Sequence, residues 1–157
     1  MRILGIDPGT GILGFGVIQS HTQQAQMIDA GVIRTKVHQP EPERLVAIFE
    51  GLQEIIAATR PQVVSVEKLF FSKNVTTAMS VSQARGVVLL VAQQQQLPIF
   101  EYTPNQIKQS LTGYGKADKK QIQEMVRVLL RLKEVPKPDD CADALAAALT
   151  HAATLTL

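Results

Sequence analysis

Apolar positions in the first part of the chain are spaced as in β-strands. Residues 3–6 form a short, almost continuous apolar run, which is typical of a strand buried on both faces. Segments 12–19 and 27–35 also have strand character, and only a polar turn at 21–24 separates them. Because such short connections join antiparallel neighbours, the pattern predicts a three-stranded antiparallel meander.

A helical period follows the meander. Between residues 43 and 59 apolar side chains recur every three or four positions, which predicts an amphipathic helix packed against the sheet. The apolar run 63–66 is then predicted to be a strand parallel to the first, because a helix connects the two. Further helices are predicted at 75–96, from 104, at 118–131 and from 139 or 140 onward, with a fifth short strand at 98–102. The pattern therefore predicts an α/β fold with a five-stranded mixed sheet flanked by helices.

Length and composition favour one globular domain spanning residues 1–157. The chain has 157 residues, of which 45% are hydrophobic and 19% charged, and it contains no internal repeat. No apolar run reaches the roughly 18 residues of a membrane span, and the N-terminus enters a strand without a signal-peptide pattern. The single cysteine, Cys141, agrees with a reducing compartment. We therefore expect a cytoplasmic protein without a membrane partner.

Charge is distributed unevenly although the formal net charge is only +2. Between residues 66 and 133 there are ten Lys and Arg against four Asp and Glu. A basic surface around a few acids suits a metal-dependent enzyme that acts on a polyanion.

Four acids are predicted to converge. Asp7 and Glu67 follow the two predicted parallel strands, whose ends lie side by side at the edge where α/β folds usually bind ligands. Asp140 and Asp143 are three residues apart and share one face of the last helix. Crowded carboxylates repel unless a hard cation neutralises them, and oxygen ligands favour Mg²⁺ or Mn²⁺. Two such ions form the clamp used in phosphodiester hydrolysis.

Each acid also has a structural interpretation. The segment 7–9, Asp-Pro-Gly, is ordinary turn sequence. The acids at 139–140 are what any helix start prefers. Glu67 could pair on the surface with Lys68 or Lys73, a contact that contributes little.

The helix predicted at 75–96 has an unusually wide apolar surface. Gly86 beside Ala84 would let another helix approach closely. A dimer interface and deep burial in the protein's own core both explain this pattern.

Six stretches resemble the RuvC-type Holliday-junction resolvases, the crossover junction endodeoxyribonucleases of the RNase H-like superfamily. They are Ile-Leu-Gly-Ile-Asp-Pro-Gly at 3–9, Val-Glu-Lys-Leu-Phe-Phe-Ser-Lys-Asn at 66–74, Gln-Ala-Arg-Gly-Val at 83–87, Glu-Tyr at 101–102, Gln-Ile-Lys-Gln at 106–109 and Asp-Cys-Ala-Asp-Ala-Leu at 140–145. They follow the family's order over nearly the whole chain, so the set is far more specific than any one stretch.

The resemblance implies an RNase H-like homodimer that binds a four-way DNA junction and nicks two strands of like polarity at symmetric positions. It implies 5′-phosphate and 3′-hydroxyl ends, a role in recombination and DNA repair, and cooperation with a branch-migration motor complex. Asp7, Glu67, Asp140 and Asp143 fall on the family's catalytic metal ligands. Two Mg²⁺ ions per active site are expected, with Mn²⁺ as a substitute.

The predicted DNA-contacting side chains are two aromatic and five basic residues: Phe70, Phe71, Lys73, Lys108, Lys116, Lys119 and Lys120. By resemblance, Phe70 falls on the aromatic near the crossover point, and Lys108 and Lys119 on functionally important basic positions. An exposed aromatic could stack on an unpaired base, and lysines would contact phosphates. One of the two phenylalanines is expected to be buried and the other exposed, and some of the lysines could simply form a solvated face.

The chain departs from the family pattern at Gly11, where some relatives carry a larger, often basic residue, and it ends soon after the last helix without a basic tail. Competing functions are another RNase H-like nuclease acting on RNA:DNA hybrids or other branched substrates, and a catalytically silent DNA-binding module. An actin-like or sugar-kinase ATPase shares the glycine-rich first turn but requires two lobes, whereas 157 residues supply one.

Overall fold

A computed structural model describes residues 1–9, 11–22, 24–68 and 75–155, with the side chain of Thr76 excepted. These residues form five strands and five helices. The strands are β1 (Arg2–Asp7), β2 (Ile12–Ser20), β3 (Ala25–Arg34), β4 (Val63–Glu67) and β5 (Ile99–Tyr102). The helices are α1 (Glu41–Thr59), α2 (Val75–Gln94), α3 (Pro104–Thr112), α4 (Lys119–Leu129) and α5 (Asp139–Thr154).

The sheet has the order β3-β2-β1-β4-β5. β1 pairs antiparallel with β2, and β2 antiparallel with β3. β4 is parallel to β1, and β5 is parallel to β4. The predicted mixed sheet is therefore confirmed, and its elements differ from the predicted ones only at their ends. For example, α1 begins at Glu41 rather than at residue 43.

Successive residues of the central strands face two separate hydrophobic cores. Leu4 and Ile6 pack in the core covered by α1 and α2. Ile3 points to the opposite face and packs in the core formed with α3, α4 and α5. The buried runs in the sequence thus reflect a sheet covered on both faces. Within the described part of the chain, no helix combines the length and apolarity needed to cross a membrane.

Helix α5 lies directly on the sheet because small residues face it. A Cβ atom on Gly5 would overlap a backbone carbonyl oxygen of α5, and one on Gly14 would overlap that of Asp140. On the neighbouring strand, the Ser65 hydroxyl donates a 2.7 Å hydrogen bond to the carbonyl oxygen of Ala147. These contacts bring the first turn of α5 to the end of the sheet at which β1 and β4 finish.

Candidate active site

Asp7 and Glu67 are the last residues of two adjacent parallel strands. The register pairs Ile6 with Val66, so the residues that follow lie side by side. The Asp7 carboxyl group therefore lies within hydrogen-bonding reach of the Glu67 carboxyl group.

The first turn of α5 brings two further acids to the same place. Asp140 Oδ1 would lie 3.9 Å from a Cβ atom on Gly9, in the turn that follows Asp7. Asp143 lines the same cleft as Glu67. All four acidic side chains are partly buried, and Glu67, Asp140 and Asp143 all lie close enough to Asp7 for their charges to act on it. The structure therefore brings the four predicted acids into one region.

The acids at 139–140 do not cap their helix. The N-cap residue of α5 is Pro138, and no side chain provides a capping hydrogen bond. The structural interpretation of these two residues as capping groups is therefore wrong, although acids in a first turn still interact favourably with the helix dipole.

Burial and mutual repulsion make the cluster unfavourable when it is fully ionised. Burial, together with the charges of Glu67, Asp143 and Asp140, raises the pKa of Asp7 to about 8. Burial and the charge of Asp143 raise the pKa of Glu67, although the hydrogen bond from Asp7 acts in the opposite direction. Burial also raises the pKa of Asp143, despite the neighbouring Lys119. A cation at this position would remove the repulsion.

The donor set fits a hard divalent cation, because it consists of carboxylate oxygens only. Among the residues that the structure describes, however, no three acidic, histidine or cysteine side chains are grouped around a single ion position. Asp143 is paired with Lys119. Ligation by Asp143 would therefore require its carboxylate to turn away from this lysine.

Lys119 is the cation closest to the acids among the described ion pairs. Its Nζ lies 3.2 Å from Asp139 Oδ2 and 3.5 Å from Asp143 Oδ2. Partial burial opposes the charge of the ammonium group, but the two carboxylates outweigh burial and raise the pKa of Lys119. Asp139 was predicted only as a helix-start acid. Its spacing of four residues from Asp143 on one helix face was the sequence signal for a shared partner.

A cleft of about 310 Å³ lies beside the acids. Glu67 and Asp143 line it together with Lys108 and Lys119. The capping box at Asp118, whose Oδ1 accepts a 2.8 Å hydrogen bond from the Gln121 amide, fixes the start of α4 at this cleft and thereby the backbone of Lys119.

The remaining predicted DNA contacts are more dispersed. Lys116 is exposed in the connection between α3 and α4, and Lys120 is exposed on the first turn of α4. Phe70, Phe71 and Lys73, including the prediction that one phenylalanine is buried, lie outside the described residues.

The family model described as crossover junction endodeoxyribonuclease RuvC matches residues 3–151. The chain belongs to this family. It is 59% identical over 152 residues to the crossover junction endodeoxyribonuclease RuvC of Brevibacillus brevis, covering 97% of this chain and 92% of that protein. Members of the RuvC family are metal-dependent nucleases.

Two solved RuvC structures from Thermus thermophilus have the same fold. One is 39% identical with a TM-score of 0.92 and covers 99% of this chain and 95% of the other. The second, a complex with Holliday junction substrate, is 37% identical with a TM-score of 0.91 and the same coverage. The five-stranded mixed sheet with its helices is accordingly RNase H-like.

Proposed function

We propose that this chain is an endonuclease that resolves four-way DNA junctions by metal-dependent nicking of two strands at symmetric positions, in recombination and DNA repair. The observation that carries the proposal is the convergence of four acids beside a lysine-lined cleft. Family membership supports the assignment, because the B. brevis relative is a crossover junction endodeoxyribonuclease.

In this proposal Asp7, Glu67, Asp140 and Asp143 hold two Mg²⁺ ions, for which Mn²⁺ can substitute. Bound Mg²⁺ would activate a water molecule and stabilise the leaving oxygen of the phosphodiester, giving 5′-phosphate and 3′-hydroxyl ends. The chain contributes the four carboxylates, which lie partly buried at the edge of the sheet. Ligation needs the ionised form of Asp7, whose pKa is raised by burial and by the neighbouring acids and would be lowered by a bound cation.

Besides pairing with Asp143, Lys119 would bind DNA in this proposal. When Asp143 turns toward the metal site, the ion pair with Lys119 opens. Asp139 lies on the other side of the ammonium group and would keep it at the cleft, where it can bind a DNA phosphate. Lys108 lines the same cleft and would position the strand from the opposite helix.

The rest of the DNA-binding surface follows from the charge distribution. Lys116 and Lys120 are exposed beside the cleft and would contact phosphates further from the cut. Lys73, with Phe70 or Phe71 stacked on an unpaired base, would complete the junction contact.

We infer that two copies of the chain assemble through α2. Val75, Met79 and Leu90 on this helix are 70%, 61% and 52% exposed, which is unusual for large apolar side chains on one helix. Among the described residues, no atom lies within 4 Å of the position of a Cβ atom on Gly86, so that side of the helix is open to a close neighbour. A two-fold dimer would supply the two sites needed for two symmetric nicks.

The same proposal includes a single nuclease domain over residues 1–157, a cytoplasmic location and work with a branch-migration motor complex. Its support is the family, since all three are expected of a bacterial-type junction resolvase.

A cleavage assay on a synthetic four-way junction and on a linear duplex of the same sequence tests the function. Each substrate is incubated with Mg²⁺ or with EDTA. Paired symmetric nicks in the junction alone, and only with metal, are expected. Cutting of an RNA:DNA hybrid but not of the junction would instead assign the chain to the competing nuclease class, and junction binding without cleavage at any sequence would favour a silent binding module.

A further inference from the structure

Hydrogen bonds connect the turn that follows Asp7 to the residue after β3. The Thr35 amide, one residue past β3, donates a 2.9 Å hydrogen bond to the carbonyl oxygen of Gly11. The Thr35 hydroxyl lies 3.4 Å from the same oxygen. Gly11 has a φ of +80°, a conformation that other residues rarely adopt. Thr35 thus contacts the turn at a residue whose backbone conformation is unusual.

Arg44 on α1 holds Thr35 in this position. Its Nε donates a 2.9 Å hydrogen bond to Thr35 Oγ1. Its Nη2 would lie only 3.1 Å from a Cβ atom on Gly11, so the guanidinium group covers the glycine directly. The side chain is 22% exposed, and its planar donor array is therefore fixed against the turn rather than free in solvent.

The same guanidinium group is connected to α2. Arg44 Nη1 lies 3.4 Å from Glu41 Oε2. The other oxygen of that carboxylate, Oε1, accepts a 3.0 Å hydrogen bond from the Ser80 hydroxyl. Ser80 is next to Met79, one of the exposed apolar residues of the helix that we assign to the dimer interface.

We propose that Arg44 is a positioning residue that fixes the turn after Asp7, and that Glu41 and Ser80 connect this turn to helix α2. The proposal rests on the nuclease function and the α2 dimer given above. The turn matters because Gly9 within it is the neighbour of the Asp140 carboxylate. A shift of the turn would therefore change the relative placement of Asp7 and Asp140, while the β1 ladder and the DNA-binding lysines stay in place.

The test compares Arg44→Gln, Arg44→Lys and Ser80→Ala with a matched control, Arg127→Gln. Arg127 also pairs with a glutamate three residues earlier, Glu124, but on α4. Three quantities are measured for each: the single-turnover cleavage rate at saturating junction, the Mg²⁺ concentration that gives half the maximal rate, and junction affinity in Ca²⁺. Dimer mass is recorded alongside.

We expect Arg44→Gln to lower the cleavage rate about tenfold and to raise the Mg²⁺ requirement, since small misplacements of reacting groups have effects of this order or larger. Junction affinity should remain within about twofold of that of the parent protein, and the mass should remain that of a dimer. Arg44→Lys should recover part of the rate, because an ammonium group can still donate to Thr35 or pair with Glu41. Ser80→Ala should cause a smaller loss in the same direction, and Arg127→Gln none.

Hydrogen exchange of the Thr35 amide supplies a readout that does not require activity. In Arg44→Gln this amide should exchange at least about tenfold faster than in the parent, while amides in the centre of β1 are unchanged. Unchanged Thr35 exchange together with a parental rate and Mg²⁺ requirement would overturn the proposal, as would a rate loss matched by an equal loss of junction affinity. If the parent protein does not cut junctions, the proposed function fails, but the exchange experiment still decides whether Arg44 fixes the turn.

Discussion

Asp7 and Glu67 end adjacent parallel strands, β1 and β4, so their carboxyl groups lie side by side at one edge of the sheet. Without a cation this pair is a cost to the folded state, because burial raises both pKa values. The acids at this edge of the sheet therefore repel one another when ionised, and a bound cation would neutralise that repulsion.

The first prediction concerns the pH dependence of stability in the metal-free protein. The ordinary pKa of an aspartate carboxyl is 3.8, and that of Asp7 in the folded chain is about 8. Between these two pH values the folded state therefore binds more protons than the unfolded state. The stability that this group contributes is then complete below about pH 4 and is lost as pH rises to about 8. Glu67 acts in the same direction.

The Asp7→Asn substitution should remove this loss of folding stability at high pH, because asparagine does not ionise. In EDTA at pH 8 the variant should be more stable than the parent by about 1 to 3 kcal/mol, the scale of an uncompensated buried polar group. The difference should shrink toward pH 5. Urea unfolding at the two pH values measures it, and adding Mg²⁺ should stabilise the parent more than the variant. A variant that is less stable than the parent at pH 8 would contradict the assigned repulsion.

The second prediction concerns Lys119. Lys119→Gln should lower junction cleavage by about tenfold or more, because it removes the cation paired with Asp139 and Asp143 and the phosphate contact proposed for the cleft. The salt dependence of junction affinity should fall by about one unit of slope. Lys133→Gln, which removes an exposed charge further along the chain, serves as the control. Equal effects of the two substitutions would mean that Lys119 acts only through net charge.

The third prediction concerns the dimer. Leu90→Glu places a charge on the exposed face of α2 and should convert the proposed dimer into monomers in sedimentation equilibrium, with little loss of monomer stability. Val128→Glu makes the same change at a 49% exposed position on α4 and should leave the mass unchanged. A dimeric Leu90→Glu protein would place the interface elsewhere.

The fourth prediction concerns the docking of α5. Gly14→Ala should destabilise the fold by about 1 to 3 kcal/mol, since the added methyl group would overlap the Asp140 carbonyl, and it should displace that acid. Gly86→Ala is the matched control: its methyl group meets no described atom, and alanine favours a helix interior by about 1 kcal/mol. Urea unfolding at concentrations at which the protein is monomeric measures both. Equal destabilisation by the two substitutions would contradict the close contact at Gly14.

The sequence was sufficient to predict the sheet and the meeting of the acids. Two apolar runs joined by a helical segment indicated parallel strands, and the position of Asp7 and Glu67 directly after them placed both at one edge. The three-residue spacing of Asp140 and Asp143 placed them on one helix face. These inferences depend on backbone geometry, which local pattern largely determines.

Contacts between distant polar side chains could not be predicted in the same way. The bond from Arg44 to Thr35 depends on where α1 starts relative to the end of β3, and nothing in the local pattern determines that offset. The pairing of Lys119 with Asp139 depends on the packing of α4 against α5. For α2, the sequence pattern did not distinguish burial from an interface. The structure buries Val88 and Val91 in the core and leaves Met79 and Leu90 exposed in the single chain.

The most direct test of the metal site is to measure junction binding and cleavage by Asp7→Asn in the same preparation. Since the substitution removes one of four acids but no phosphate contact, binding should be retained or tightened, while cleavage in Mg²⁺ falls below detection. Undiminished cutting by Asp7→Asn would show that the acids at the ends of β1 and β4 do not form the catalytic metal site.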